Sequence, residues 1–96
     1  MDRRVFNNRE RVEQQIDLPG EYSYSFVGAS SPEYHARLEE ILARVVGQDN
    51  IRHRSFHPSS RGNYTAYRFE VFHMAFVEVE QVYEEVGALE GTRFVI

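Results

Sequence analysis

The chain has 96 residues, 42% hydrophobic and 14% aromatic, and its eleven arginines, with no lysine, stand against fifteen acids for a net charge of −4. That composition describes one small globular domain with a single core rather than a disordered tail or a multidomain enzyme, and it argues against a nucleic-acid binder built on a broad cationic face. The absence of cysteine removes disulfide scaffolds, thiolate zinc sites and cysteine nucleophiles. The polar start "MDRRVFNNRERVEQQ", and no apolar run near the roughly 20 residues of a membrane span, point to a soluble cytoplasmic protein.

Residues 1–17 carry Val5, Phe6, Val12 and Ile16 among charges, a spacing that permits an amphipathic helix or a tail before the domain, which spans 18–96. Pro19-Gly20 marks a boundary. From Glu21 to Val27 the chain alternates, with Tyr22, Tyr24 and Phe26 on one face, and predicts a first strand broken at Gly28-Ala29-Ser30-Ser31. Tyr34, Leu38, Ile41, Leu42 and Val45 then recur at helical spacing from Pro32 to a stop at Gly47. Ser30 with Glu33 fits a capping box, and Ser31 before Pro32 fits a serine cap with proline at the first helical position; the two are exclusive.

Ile51 to His57 alternates weakly and suits an edge strand. Tyr64 to Phe72 is the strongest strand signal, with Tyr67, Phe69 and Val71 inward and Ala66, Arg68 and Glu70 outward. Phe76, Val79, Val82, Tyr83 and Val86 predict a second helix ending at Gly87, and "TRFVI" a last short strand. The order β-α-β-β-α-β is the ferredoxin-like α+β plan: a four-stranded antiparallel sheet in the order 4-1-3-2 with both helices on one face. The loops at Gly28–Ser31, Ser59–Asn63 and Gly87–Gly91 then emerge at one end of the sheet.

"PSSRGNY", "VYEEVG" and the terminal "RFVI", with the weaker "LPGEYSYSFVG" before them, resemble the YbeD-like family of small uncharacterised bacterial proteins. The resemblance implies a ferredoxin-like domain akin to the ACT regulatory domains of amino-acid metabolism, without an established activity; some members are labelled lipoate regulatory proteins. Two positions depart from the family's pattern, Ser25 where a lysine is frequent and Met74 where a Thr or Ser helix cap is frequent. Since ACT-like domains commonly pair, the resemblance also implies a homodimer, through an edge strand or the open face.

The residues offer one candidate ligand site. Main-chain N–H groups around Gly28 and Gly62, the Ser30-Ser31 and Ser59-Ser60 pairs, Asn63 and the forked guanidinium of Arg61 are all donors that suit a small carboxylate or phosphate. The same residue types serve any hairpin turn, and a serine that caps the first helix withdraws donors from an anion. Base stacking as in RNA-recognition domains is disfavoured, because the aromatics of strands 1 and 3 face the helices.

His53 and His57 stand about 13 Å apart along a strand, too far to share a metal ion. They read, with His35 and His73, as exposed polar residues. Glu39-Glu40 and Glu84-Glu85 read as solvated helix faces. No catalytic triad, dinucleotide or Walker pattern and no cofactor motif is present. The sequence-level expectation is a regulatory, non-enzymatic domain that binds a small anionic ligand or a protein partner; a plain protein-interaction module is the alternative.

Overall fold

The computed structural model describes residues 18–96, so the expectation of a helix or tail over 1–17 lies outside the described residues. Strand β1 is Gly20–Ala29, helix α1 Pro32–Val46, strand β2 Ile51–Pro58, strand β3 Tyr64–His73, helix α2 Phe76–Ala88 and strand β4 Thr92–Val95, with a single 3-10 turn at Gln48–Asn50 before β2. The four strands form one antiparallel sheet in the order β2-β3-β1-β4. This is the ferredoxin-like arrangement that the sequence predicts.

Alternation decides which side of the sheet is covered. Tyr24, Phe26, Tyr67, Phe69 and Val71 pack with Tyr34, Leu38, Ile41 and Leu42 of α1 and Val82 and Val86 of α2 in one core. Complete burial of an aliphatic or aromatic side chain stabilises by about 1.5–3 kcal/mol, so this layer holds the helices on one face. Among the described residues the other face of the sheet carries no helix.

Several boundaries differ from the sequence reading. β1 continues through Gly28 and Ala29, which pair with Thr65 and Tyr64 of β3, where a break was expected. Gly28 sits on the core side, and a Cβ there would stand 2.4 Å from Cζ of Tyr34; the glycine makes room for the ring rather than ending the strand. α2 runs past Gly87 to Ala88, and the chain reverses at Gly91, whose φ of +99° is the left-handed conformation glycine favours. Finally, the residue before α2 is Ala75, not Met74, and it caps without a side-chain bond; Glu78 instead accepts the Met74 N–H at 3.0 Å.

Of the two exclusive caps on α1, Ser31 is the one used. Its Oγ accepts the Tyr34 N–H at 3.1 Å, and Pro32 opens the helix. Ser30 turns away and bonds Thr65 Oγ1 at 2.7 Å.

Both edge strands contain a β-bulge. In β2 the register passes from Ile51↔Val71 to His53↔Glu70, which leaves Arg52 as the extra residue. In β4 it passes from Val27↔Phe94 to Gly28↔Thr92, which leaves Arg93. A bulge reverses the facing of every residue beyond it. Val95 is therefore opposite Phe26 and packs on the core, and Phe94 is turned outward, 61% exposed.

Candidate functional site

The loop end of the sheet is assembled as the topology predicts. The Ala29 N–H donates to the Gly91 carbonyl at 3.0 Å, and the Ser30–Thr65 bond joins the β1–α1 loop to the start of β3. The individual donors are differently engaged, however. Ser31 caps α1, and Ser59 closes its own hairpin by donating its N–H to the Tyr64 carbonyl at 2.7 Å and accepting the Tyr64 N–H on Oγ at 3.3 Å. Gly62 has a φ of +75° and donates to the Ser59 carbonyl at 2.9 Å, which is the work of a turn.

Ser60, Arg61 and Asn63 are exposed at the hairpin tip, and Arg61 makes no ion pair with the described residues. A depression of about 360 Å³ does lie at the N-terminus of α1, but Ser31, Glu33, Tyr34, Arg37, Glu90 and Gly91 line it, and no residue of 59–63 does. The cation beside that helix end is thus Arg37, accompanied by two carboxylates.

The titratable residues on the helix-covered side hold the fold together. His73, expected to be exposed, is fully buried; its Nε2 is 2.7 Å from Tyr24 Oη and its Nδ1 3.0 Å from Glu78 Oε1. With Glu78 accepting from Nδ1–H, Nε2 is left to accept from the Tyr24 hydroxyl. Burial pulls the imidazole below its ordinary pKa, and the Glu78 carboxylate opposes that shift without overcoming it. Tyr22 bonds Tyr83 through their hydroxyls, and burial pushes the Tyr22 phenol up and those of Tyr24 and Tyr83 far up. Among the described residues no buried side-chain nitrogen or oxygen lacks a partner, so this cluster presents no unmet group to a ligand.

Nor are the helix carboxylates merely solvated. Glu39 receives Arg54 Nε at 2.8 Å and lies 3.1 Å from His35 Nε2, which ties α1 to β2. Its burial would raise the carboxyl, but the hydrogen bonds from Arg54 and His35 outweigh that and hold it below the usual range. Glu85 of α2 accepts both terminal nitrogens of Arg44 of α1. His35 also stacks edge-on to Phe56, with ring centroids 4.5 Å apart. Apart from His35–Glu39, which are one helical turn apart, these contacts were invisible to sequence because the partners are far apart along the chain.

The open face of the sheet is different. Register places Arg68 of β3 directly between Ser25 of β1 and Ser55 of β2, and Glu70 between Ser23 and His53. Ile96, whose N–H donates to the Ser25 carbonyl at 2.9 Å, extends the first row. Together they line a shallow depression of about 430 Å³. Arg68 and Glu70 are exposed, and neither makes an ion pair or hydrogen bond with the described residues.

Around this polar centre stand aromatics that the sequence reading did not place on the open face. The Arg52 guanidinium lies 5.3 Å from the Phe72 ring centre, and that of Arg93 4.9 Å from the Tyr64 ring. Strand parity puts Phe72 and Tyr64 on the same face as Arg68. Arg68, Glu70, Ser23 and Ser25 were legible as outward residues; their grouping with Ser55 and His53 needs the register of β2 beyond its bulge.

With the fold and this geometry established, comparison with known proteins is informative. The family described as "Protein of unknown function (DUF493)" matches residues 13–96. The chain belongs to the DUF493 family. Curated relatives of the DUF493 chain include a UPF0250 protein of Edwardsiella ictaluri, 27% identical over 92% of this chain and 99% of that one. A UPF0250 protein of Vibrio vulnificus is 23% identical over 96% and 98%. These uncharacterised bacterial proteins are the group that the hairpin and C-terminal motifs resemble.

Among solved structures the DUF493 fold is similar to the C-terminal domain of the MgtC protein from Mycobacterium tuberculosis, with a TM-score of 0.60, 13% identity and coverage of 84% of this chain and 88% of that domain. At that identity the likeness concerns the fold. No helix among the described residues is long and apolar enough to cross a membrane.

Proposed function

We propose that this domain is a cytoplasmic regulatory module that performs no chemistry of its own and binds a small ligand on the open face of its sheet. The observation that carries the reading is the Ser25–Arg68–Ser55 row: a guanidinium without an ion-pair partner among the described residues, flanked by two hydroxyls and set in a depression. Guanidinium and hydroxyl groups converge on carboxylates and phosphates because all can donate to one oxyanion. On the covered side the corresponding groups are engaged in holding helices to strands. At the loop end Ser31, Ser30 and Ser59, three of the four serines expected to bind an anion, are occupied by the α1 cap, by Thr65 and by the hairpin.

The test is a thermal-shift and NMR screen of amino acids, lipoate and nucleotides against the wild type, Arg68→Ala and Arg61→Ala. Binding that Arg68→Ala abolishes and Arg61→Ala leaves intact supports the open face. The reverse pattern transfers the site to the 59–63 hairpin, and no hit beyond bulk salt effects retires the small-ligand reading.

A second reading, in which the domain acts by pairing with a copy of itself, draws on Phe94 and Ile96. They are 61% and 71% exposed, and both lie on the open face. A face-to-face dimer would bury them and set Arg68 of one copy against Glu70 of the other. Light scattering that gives a monomer at millimolar concentration removes this reading.

A further inference from the structure

We infer that the open-face depression selects a dipolar ligand, a small molecule carrying a carboxylate and an ammonium group at opposite ends. The inference rests on the small-ligand reading above and adds the chemical class. Arg68 and Glu70 are two residues apart on β3 and face the same way, which sets their Cα atoms about 6.8 Å apart. No ion pair joins them or links either to another described residue. Each sits in its own transverse row: Ser25 and Ser55 flank the cation, and Ser23 and His53 flank the anion.

A lone anion would meet Arg68 but also the repulsion of Glu70, and a lone cation would meet the converse. A polyphosphate is disfavoured by the same carboxylate. A molecule that satisfies both rows must present opposite charges separated by about 5–7 Å, the spacing of alternate residues on a strand. In an α-amino acid the two charges are adjacent and too close for this. An ω-amino acid of about five carbons, or a dipeptide-like zwitterion, has the needed reach, and its short apolar middle can lie beside Ile96, which lines the same depression. Because both charges are exposed, affinity is on the order of millimolar at low ionic strength and weakens with added salt.

The test uses 5-aminopentanoate, with pentanoate, butylammonium and glycine as comparisons, titrated into the isotopically labelled full chain and followed by amide shifts. Saturable shifts at Ser25, Ser55, Arg68 and Glu70 are expected with 5-aminopentanoate, about two- to fivefold tighter than with any comparison compound. Arg68→Ala abolishes the shifts. Glu70→Gln erases the preference over pentanoate while leaving carboxylate binding, a result that loss of folding would not give; both side chains are exposed, and unchanged melting of the variants confirms that they fold.

Equal binding of pentanoate and 5-aminopentanoate, or an unaltered preference in Glu70→Gln, overturns the dipolar inference and leaves the open-face reading standing. Shifts confined to Ser31, Arg37 or the 59–63 hairpin overturn both. Absence of shifts with every probe overturns the dipolar inference, and the broader screen then decides the small-ligand reading.

Discussion

Tyr34 lies over Gly28 so closely that a single added carbon at the glycine would stand 2.4 Å from the ring, and its hydroxyl is 2.7 Å from Thr92 Oγ1. One side chain thereby joins the first turn of α1 to β1 and β4. Gly28→Ala is expected to destabilise the domain by about 1–3 kcal/mol through overpacking. In the double variant with Tyr34→Leu part of the loss is recovered, a non-additivity read by urea unfolding. Strict additivity would mean that the ring is not what excludes a side chain at position 28.

The two serines before α1 have separable roles. Ser31→Ala removes the cap on the Tyr34 N–H and is expected to cost about 1 kcal/mol. Ser30→Ala leaves that cap intact and loses only a half-exposed bond to Thr65. Unfolding midpoints should therefore fall further for Ser31→Ala, and the opposite ranking would assign the cap to Ser30.

His73 makes stability depend on pH in a defined direction. Its folded-state pKa lies below the ordinary 6.5, chiefly through burial, so the unfolded chain takes up a proton more readily than the native one. The stabilisation is complete above about pH 6.5 and is lost as pH falls toward the folded value. Urea midpoints at about pH 7.5 and pH 5.5 should differ, with the lower at the acidic value. A midpoint that stays flat or rises across this range would contradict the burial of a neutral imidazole between Tyr24 and Glu78.

A second acid-sensitive contact acts at lower pH. Glu39 is held below its ordinary 4.5 by Arg54 and His35, so its contribution is present above that value and lost as pH falls further. Arg54→Met should cost about 0.5–1 kcal/mol near neutral pH, since the pair is partly exposed. The difference from wild type should shrink at about pH 3. An undiminished difference there would show that Arg54 acts through the packing of its stem on α1 rather than through its charge.

Much of the fold was legible because alternation in β1 and β3 is uninterrupted: of the residues read as inward there, all but the half-buried Tyr22 are buried beneath the helices. The edge strands were read less well. A bulge adds one residue and inverts parity, and nothing in "TRFVI" announces that Arg93 is the extra one. Polarity alone placed His73 outside, whereas Tyr24, 49 residues away, makes its burial tolerable. Gly87 resembled a helix stop as well as Gly91 does; only the backbone shows which one adopts positive φ. Topology joins the β1–α1 loop to the turn at Gly91, as the element order implies, but side-chain direction engages Ser31 and Ser59 locally. The Arg68 row arises from register across three strands, which composition does not encode.

The bulged arginines bear on how this sheet survives at high protein concentration. Each terminal strand of an open sheet offers unpaired peptide groups on which a foreign strand could template itself into a growing fibril. Here both outermost strands are locally kinked at a permanently charged residue, Arg52 on one side and Arg93 on the other, and each guanidinium is laid over an aromatic ring of β3. Straightening either strand by deleting its arginine removes both kink and charge, and is expected to leave that edge more open to templated pairing.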